Sequence, residues 1–143
     1  MGGKMSRNKG QRGERAVIKI LQPVVDRVYL NHDIESPQLQ RNLLQSDSGG
    51  FDIYGLDWAA IEVKWQENYA IPMWWRQTIE QCGEEQVPIL FYRRSRVPWT
   101  VRMLADVSCG RLSEGVVVPV DMRVHEFLKY FEAELDAQLS SLG

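Results

Sequence analysis

The chain has 143 residues, of which 44% are hydrophobic and 25% are charged, so it is expected to form one globular domain around a single core. A net charge of −2 excludes a uniformly basic nucleic-acid-binding protein, and the two separated cysteines, Cys82 and Cys109, exclude a zinc site built on a Cys-x-x-Cys pair. No apolar run approaches the roughly 20 residues of a membrane span, and no apolar signal region follows Met1, so we expect a cytoplasmic protein without membrane contact.

The first half of the chain is predicted from its hydrophobic periodicity. Residues 1–10 are expected to form a flexible basic arm. A helix follows over residues 14–25, and Pro23 is expected to kink or end it. Short strands are then predicted at residues 28–30, 39–44, 51–54 and 59–65. The polar segment 45–50 is expected to be a loop.

The second half alternates in the same way. A helix is predicted over residues 72–82 with Pro72 in its first turn. Strands follow at residues 88–93, 99–104 and 116–120. An amphipathic C-terminal helix is predicted over residues 121–140, with Asp121 as its N-cap. This order predicts one α/β or α+β domain over residues 1–143, with a mixed central β-sheet flanked by helices.

Positive charge is concentrated in two clusters. Residues 1–111 hold 15 Lys and Arg against 13 Asp and Glu, whereas residues 112–143 hold 2 against 6. Near the N-terminus, only Glu14 opposes a basic run formed by Lys4, Arg7, Lys9, Arg12 and Arg15. A second cluster consists of Arg93, Arg94, Arg96 and Arg102. Such clusters can bind nucleic acid on an acidic protein, and ordinary solvated surface charge is the alternative.

A pair of carboxylates carries the predicted chemistry. Nine residues lie between Asp52 and the segment Glu62-Val63-Lys64. Because strand side chains alternate between faces, Glu62 and Lys64 share one face while Val63 points into the core. Asp52, in the preceding strand, can approach Glu62 across the turn. The two carboxylates and the Val63 carbonyl suit Mg²⁺, which Mn²⁺ can replace. A surface salt bridge is the alternative for Glu62 and Lys64 taken alone.

This arrangement predicts hydrolysis of a phosphodiester bond. A bound metal would lower the pKa of a water molecule and neutralise charge on the phosphate. Lys64 would orient the water or stabilise the pentacovalent phosphate. Gly49 and Gly50 would let the backbone approach nucleic acid closely, because no Cβ intervenes.

Three stretches of the chain together resemble the archaeal-type Holliday-junction resolvases of the PD-(D/E)xK nuclease superfamily. They are the basic run RNKGQRGER at residues 7–15, the loop SDSGGFDI at residues 46–53 and the strand IEVK at residues 61–64. The resemblance covers about residues 7–103. It implies a restriction-endonuclease-like fold, a homodimer and Mg²⁺-dependent cleavage of branched DNA. It also implies that Glu14 joins Asp52 and Glu62 at the metal and that Ser48 contacts the scissile strand.

We therefore expect a structure-selective DNA endonuclease with Glu14, Asp52, Glu62 and Lys64 as catalytic residues. DNA contacts are expected from the N-terminal basic run, from the loop residues Ser48, Gly49 and Gly50, and from Arg93 and Arg94. A phage or bacterial branch of the family fits the low basic content, and a phage protein would act in the host cytoplasm. The alternatives are a restriction-like or general PD-(D/E)xK nuclease and a catalytically silent DNA-binding module.

Overall fold

The computed structural model describes residues 2–43, 51–108, 110–111 and 114–142, with side chains from residue 10 onward. These parts of the chain form three helices and six strands. In chain order they are α1 (Gly2–Asn31), β1 (Gln40–Arg41), β2 (Ile53–Tyr54), β3 (Ala59–Trp65), α2 (Ile71–Gln81), β4 (Val87–Arg93), β5 (Thr100–Val107), β6 (Val116–Arg123) and α3 (Val124–Ser140). Within the described residues, no helix has the length and hydrophobicity of a membrane span.

The strands form one mixed sheet in the order β1-β2-β3-β4-β5-β6. Strands β3 and β4 are parallel, and the remaining neighbours are antiparallel. Parallel neighbours require a crossover, which α2 supplies between β3 and β4. The carboxyl ends of β3 and β4 therefore lie at the same edge, where Trp65 is the register partner of Arg93. The predicted α+β architecture with a mixed central sheet is confirmed.

Helices cover both faces of this sheet. On one face, α1 and α3 pack a large core against β3, β4 and β5, with Leu21 and Phe131 among its fully buried side chains. On the other face, α2 places the buried Trp74 against Leu90 and Tyr92. The alternation of β3 directs Ile61 and Val63 into the larger core and Glu62 to the opposite face. Trp74 thus belongs to a second, smaller core.

Helix α1 is longer than the sequence pattern indicates. Residues 2–10, expected to be a flexible arm, and residues 28–30, expected to be a strand, are both helical. Pro23 lies inside the helix on its exposed side and does not end it. The apolar stripe continues past the proline, because Val24 and Val28, one turn apart, are both buried in the core. Tertiary packing outweighs the local helix-breaking tendency of proline here.

The boundary between β6 and α3 also differs from the prediction. Strand β6 runs through Asp121 to Arg123, so Asp121 is not a helix cap and α3 begins at Val124. The Asp121 carboxylate instead accepts hydrogen bonds from Arg102 on β5 and Tyr92 on β4. A charged pair between strands holds this residue in the sheet and extends the strand by three residues.

Candidate active site

Strands β2 and β3 bring Asp52 and Glu62 together. The Asp52 backbone N–H donates to the Ile61 carbonyl at 2.8 Å, which sets Asp52 beside Glu62 where β2 begins. One Asp52 carboxylate oxygen accepts a hydrogen bond from the Val63 N–H at 2.7 Å. Both residues are almost fully buried, with 4% of Asp52 and 2% of Glu62 exposed. Two neighbouring carboxylates are thus held away from water, and the half-buried Lys64 shares the strand face of Glu62.

The pKa of Glu62 reflects its burial and the neighbouring carboxylate of Asp52. Burial, reinforced by the negative charge of Asp52, raises the pKa of Glu62 to about 9, and Lys64 offsets only part of that shift. A buried pair of carboxylates at this spacing is poorly tolerated when both groups are ionised. A divalent cation would relieve both the burial and the repulsion, so the donor set fits such an ion.

Glu14 approaches the pair from helix α1. Burial raises the pKa of Glu14, and the charge of Asp52 adds to the effect, which places the two carboxylates within electrostatic range. Arg41 on β1 holds the Glu14 side chain with a hydrogen-bonded ion pair of 2.6 Å. The structure therefore brings Glu14, Asp52 and Glu62 into one region. It turns Glu14 toward Arg41, however, not directly onto the other two carboxylates.

Asp52, Glu62 and a backbone carbonyl are the donors that could hold a metal ion. No cluster of three or more His, Cys, Asp or Glu side chains with metal-binding geometry occurs in the described ranges. The Val63 N–H points toward Asp52, and a strand residue directs its N–H and C=O toward the same neighbour. The Val63 carbonyl therefore projects toward the same side as Asp52. Two carboxylates and one carbonyl are the hard oxygen donors that Mg²⁺ prefers.

Two supporting residues lack any motif in the sequence. The buried Asn42 donates its backbone N–H to the Asp52 carbonyl at 2.8 Å and its side-chain amide to the Phe51 carbonyl at 2.9 Å. Arg41, its neighbour, binds Glu14. Together they tie β1 to the carboxylates. The available signal was a polar stretch, Gln40-Arg41-Asn42, inside the strand predicted at residues 39–44.

The residues expected to bind DNA are distributed unevenly. Arg12, Arg15 and Arg93 lie around Trp65, and Arg94 stacks on the Tyr69 ring at 5.4 Å. Arg102 is neutralised by Asp121, so it does not extend the second basic cluster. The N-terminal cations Lys4, Arg7 and Lys9 lie on the first turns of α1. Ser48, Gly49 and Gly50 fall outside the described residues.

Comparison with known protein families identifies a nuclease family. A family model described as "Phage putative PDDEXK endonuclease" matches residues 5–132, a stretch that contains every carboxylate discussed above. Among solved structures, the chain is similar to Hjc, a Holliday junction resolvase from the archaeal hyperthermophile Archaeoglobus fulgidus. That similarity has 15% identity and a TM-score of 0.49, and it covers 85% of this chain and 96% of that chain. A comparison with curated proteins finds no match.

Proposed function

This chain belongs to that family of phage PDDEXK endonucleases, and from this premise we propose that it is a Mg²⁺-dependent endonuclease that hydrolyses phosphodiester bonds in DNA. The observation that carries the proposal is the buried pair Asp52 and Glu62, with Glu14 approaching from α1 and Lys64 on the same strand face as Glu62. An acidic cluster beside DNA repels phosphate, so a protein that only binds DNA has no use for it.

Asp52, Glu62 and the Val63 carbonyl would hold the ion, and Glu14 would reach it through water. Mn²⁺ would substitute for Mg²⁺ because both accept carboxylate and carbonyl oxygens. When bound, the ion lowers the pKa of a water molecule and stabilises charge on the phosphate. The hydrogen bond from the Val63 N–H orients the Asp52 carboxylate, and Arg41 orients Glu14.

Lys64 has a separate role on the substrate side. Its ammonium group shares a strand face with Glu62 and is only half-buried, so it can reach a phosphate outside the acidic pair. There it would hold the attacking water in line or stabilise the phosphate as negative charge grows. The electrostatic work is thus divided between acidic ligands in the interior and a cation at the surface.

We further propose that the substrate is a four-way DNA junction and that a homodimer cuts it. Support comes from the three sequence stretches that resemble Holliday-junction resolvases, and from the basic residues Arg12, Arg15 and Arg93 around Trp65. A two-fold symmetric dimer would present two such sites to opposed strands of one junction. Cations on both subunits could then neutralise phosphates on several arms at once.

A cleavage assay tests both levels of the proposal. A four-way junction and a linear duplex of the same sequence are incubated with Mg²⁺, with Mn²⁺ or with EDTA, beside Asp52→Asn protein. We expect paired cuts in the junction with either metal and none with EDTA or the variant. Equal cutting of both DNAs would replace the resolvase by a general nuclease. Tight DNA binding without cleavage in any metal would indicate a silent binding module.

A further inference from the structure

A cavity of about 280 Å³ lies between helix α1 and the carboxyl ends of β3 and β4. Its lining side chains are Arg12, Arg15, Ala16, Lys19, Trp65 and Arg93. The polar groups among them are guanidinium, ammonium and indole groups, all of which donate hydrogen bonds and accept none. A ligand that complements this cavity must therefore supply acceptors and negative charge.

Trp65 organises the cavity. The guanidinium carbon of Arg12 lies 4.9 Å from the centre of the Trp65 ring, and that of Arg93 lies 4.6 Å from it. Arg93 also contacts Trp99 at 5.6 Å. Such cation–π contacts hold a guanidinium in place without neutralising its charge. We call Arg12, Arg15, Lys19 and Arg93 around Trp65 the Trp65 clamp.

The positive charge of the clamp is not cancelled locally. In the described part of the chain, none of its four cations forms an ion pair with a carboxylate. Glu14 interacts electrostatically with Arg15 but forms its ion pair with Arg41. In addition, the indole Nε1 of Trp65 is buried and has no hydrogen-bond acceptor. The unsatisfied indole N–H and the uncancelled charge of the clamp cations together favour an anionic ligand.

The clamp and the carboxylates lie on different sides of one helix. Successive residues of a helix are rotated by about 100°, so Arg12 and Lys19 project roughly opposite to Glu14. The two sides of an α-helix are about 10 Å apart.

We propose that the Trp65 clamp binds a backbone phosphate of the substrate DNA on the side of α1 away from the scissile bond, with Trp65 as a positioning residue. This inference rests on the proposed function. A phosphodiester offers only acceptors and one negative charge, which matches a donor-only cavity, and arginine binds phosphate in a two-pronged geometry. The contact would set the register of the strand over Asp52 and Glu62 without reading its sequence.

DNA binding is measured in the Asp52→Asn background by fluorescence anisotropy with a labelled linear duplex across a salt series. Lys19→Gln and Arg93→Gln should each weaken binding about 3- to 10-fold and reduce the salt slope by about 0.9, the value for one lost phosphate contact. The matched control is Lys129→Gln, the same charge change on α3 beside the far end of α1. Equal slopes for Lys19→Gln, Arg93→Gln and Lys129→Gln would overturn the proposal.

The role of Trp65 is tested separately by NMR. The indole N–H resonance that disappears in Trp65→Phe is followed while duplex DNA, inorganic phosphate or sodium chloride is added at matched ionic strength. We expect saturable shifts with DNA and with phosphate but not with chloride. Trp65→Phe, which keeps an aromatic face but loses the indole N–H, should weaken DNA binding less than Trp65→Leu, which loses both.

The outcomes separate this inference from the proposed function. Neither experiment requires cleavage. If the protein is inactive but the clamp variants bind DNA more weakly, the clamp proposal stands and the nuclease proposal fails. Conversely, if the protein cleaves DNA but the indole resonance does not shift and the salt slopes do not change, only the clamp proposal fails. A response to inorganic phosphate without any response to DNA would make the cavity a free-phosphate site and overturn the assignment to the DNA backbone.

Discussion

Burial separates Asp52 and Glu62 from the other carboxylates that the structure describes. Most acidic side chains of the chain are exposed or form surface pairs, such as the ion pair between Glu132 and Arg27. Charged groups are expensive to bury, so the fold gains no stability from this pair. The two residues are therefore better explained by ligand chemistry than by structural need, and their neutral isosteres should fold.

The first prediction follows from this contrast. Asp52→Asn and Glu62→Gln should each lower the Mg²⁺-dependent cleavage rate by at least about 100-fold, since loss of an outer-shell partner already costs 10- to 100-fold. DNA affinity should stay equal or rise because repulsion from phosphate falls. The control is Asp57→Asn, an exposed carboxylate in the turn before β3. Near-normal cleavage by either variant would remove Asp52 and Glu62 from the proposed metal site.

Glu14 offers a second test at the level of single residues. Glu14→Gln should lower the cleavage rate roughly 10- to 100-fold without changing the unfolding temperature by more than a few degrees. Arg41→Gln should have a similar but smaller effect, because it removes only the group that orients Glu14. Arg27→Gln, which breaks an exposed ion pair on the same helix, is the control. Wild-type rates for Glu14→Gln would make that residue an ordinary helix-surface glutamate.

At the level of elements, the approach of α1 to β3 depends on Gly13. A Cβ at this position would lie 3.2 Å from a methyl group of Val63 and 3.3 Å from the Trp99 ring. A Cβ on Gly10, one turn earlier in the same helix, would meet nothing within 4 Å. The absence of a side chain at Gly13 therefore lets the helix carry Glu14 and Arg12 close to the end of β3.

The pair of glycines makes a matched experiment. Gly10→Ala should raise the free energy of unfolding by about 0.5–1 kcal/mol through helix propensity. Gly13→Ala gains the same propensity but must push Val63 and Trp99 aside, at a cost of about 1–3 kcal/mol. Urea denaturation should therefore rank Gly10→Ala above wild type and Gly13→Ala below Gly10→Ala by at least about 1 kcal/mol. Equal stabilisation by both would show that the helix has room to approach more closely.

Asp121 links three strands at the other end of the sheet. Its carboxylate accepts two hydrogen bonds from Arg102, at 2.9 and 2.7 Å, and one from the Tyr92 hydroxyl at 2.8 Å. The hydrogen bonds from Arg102 lower the pKa of Asp121, and burial together with this carboxylate raises the pKa of Tyr92 to about 12. The network joins β4, β5 and β6 on the sheet face that α2 partly covers.

The lowered pKa gives a pH-dependent prediction. A carboxylate whose folded pKa is depressed stabilises the fold above its unfolded pKa, about 3.9, and loses that contribution as the pH falls through the folded value. Asp121→Asn should therefore cost about 1 kcal/mol at pH 7, near the upper end for a partly exposed pair. The difference from wild type should shrink at pH 3. Urea denaturation at both pH values measures it, and Asp106→Asn on β5 is the control. If the difference in unfolding free energy between Asp121→Asn and wild type is the same at both pH values, the effect does not come from ionisation of Asp121.

On the scale of the whole molecule, the exposed apolar side chains indicate where a second copy of the chain could bind. Trp74 and the apolar side of α3, including Phe127 and Phe131, are buried within the chain. Exposed apolar side chains include Met73 on α2, which is 51% exposed, and Val117 on β6, which is 61% exposed. In the described part of the chain β6 ends the sheet, and an exposed edge strand can pair with a second copy.

We expect a homodimer, as the resemblance to junction resolvases implies. Light scattering at micromolar concentration should give about 33 kDa, twice the 16.5 kDa of one chain. Val117→Lys should shift the mass toward one chain if β6 forms the interface, because a charge on an apolar edge opposes pairing. Met73→Lys, on the exposed side of α2, tests a second exposed apolar position. A monomeric wild type would argue against paired cutting of a junction.

Local patterning was sufficient for the strand that carries the chemistry. Strand side chains alternate between faces, so the two-residue period of this segment directs Ile61 and Val63 to the core and Glu62 and Lys64 to the proposed site. The same reasoning located Asp52 one turn away and the apolar side of α3, whose positions repeat at helical spacing. These features depend on neighbours a few residues apart, and a sequence displays such neighbours directly.

Only the tertiary structure decided what surrounds that strand. Arg41 meets Glu14 across 27 residues, Arg93 meets Trp65 across the parallel strand pair, and Asp121 joins a strand because Arg102 binds its carboxylate. Helix α1 likewise continues past Pro23 because the core receives Val24 and Val28. The free energy of each contact arises between residues distant in sequence, and no local pattern records which distant partner packing will supply.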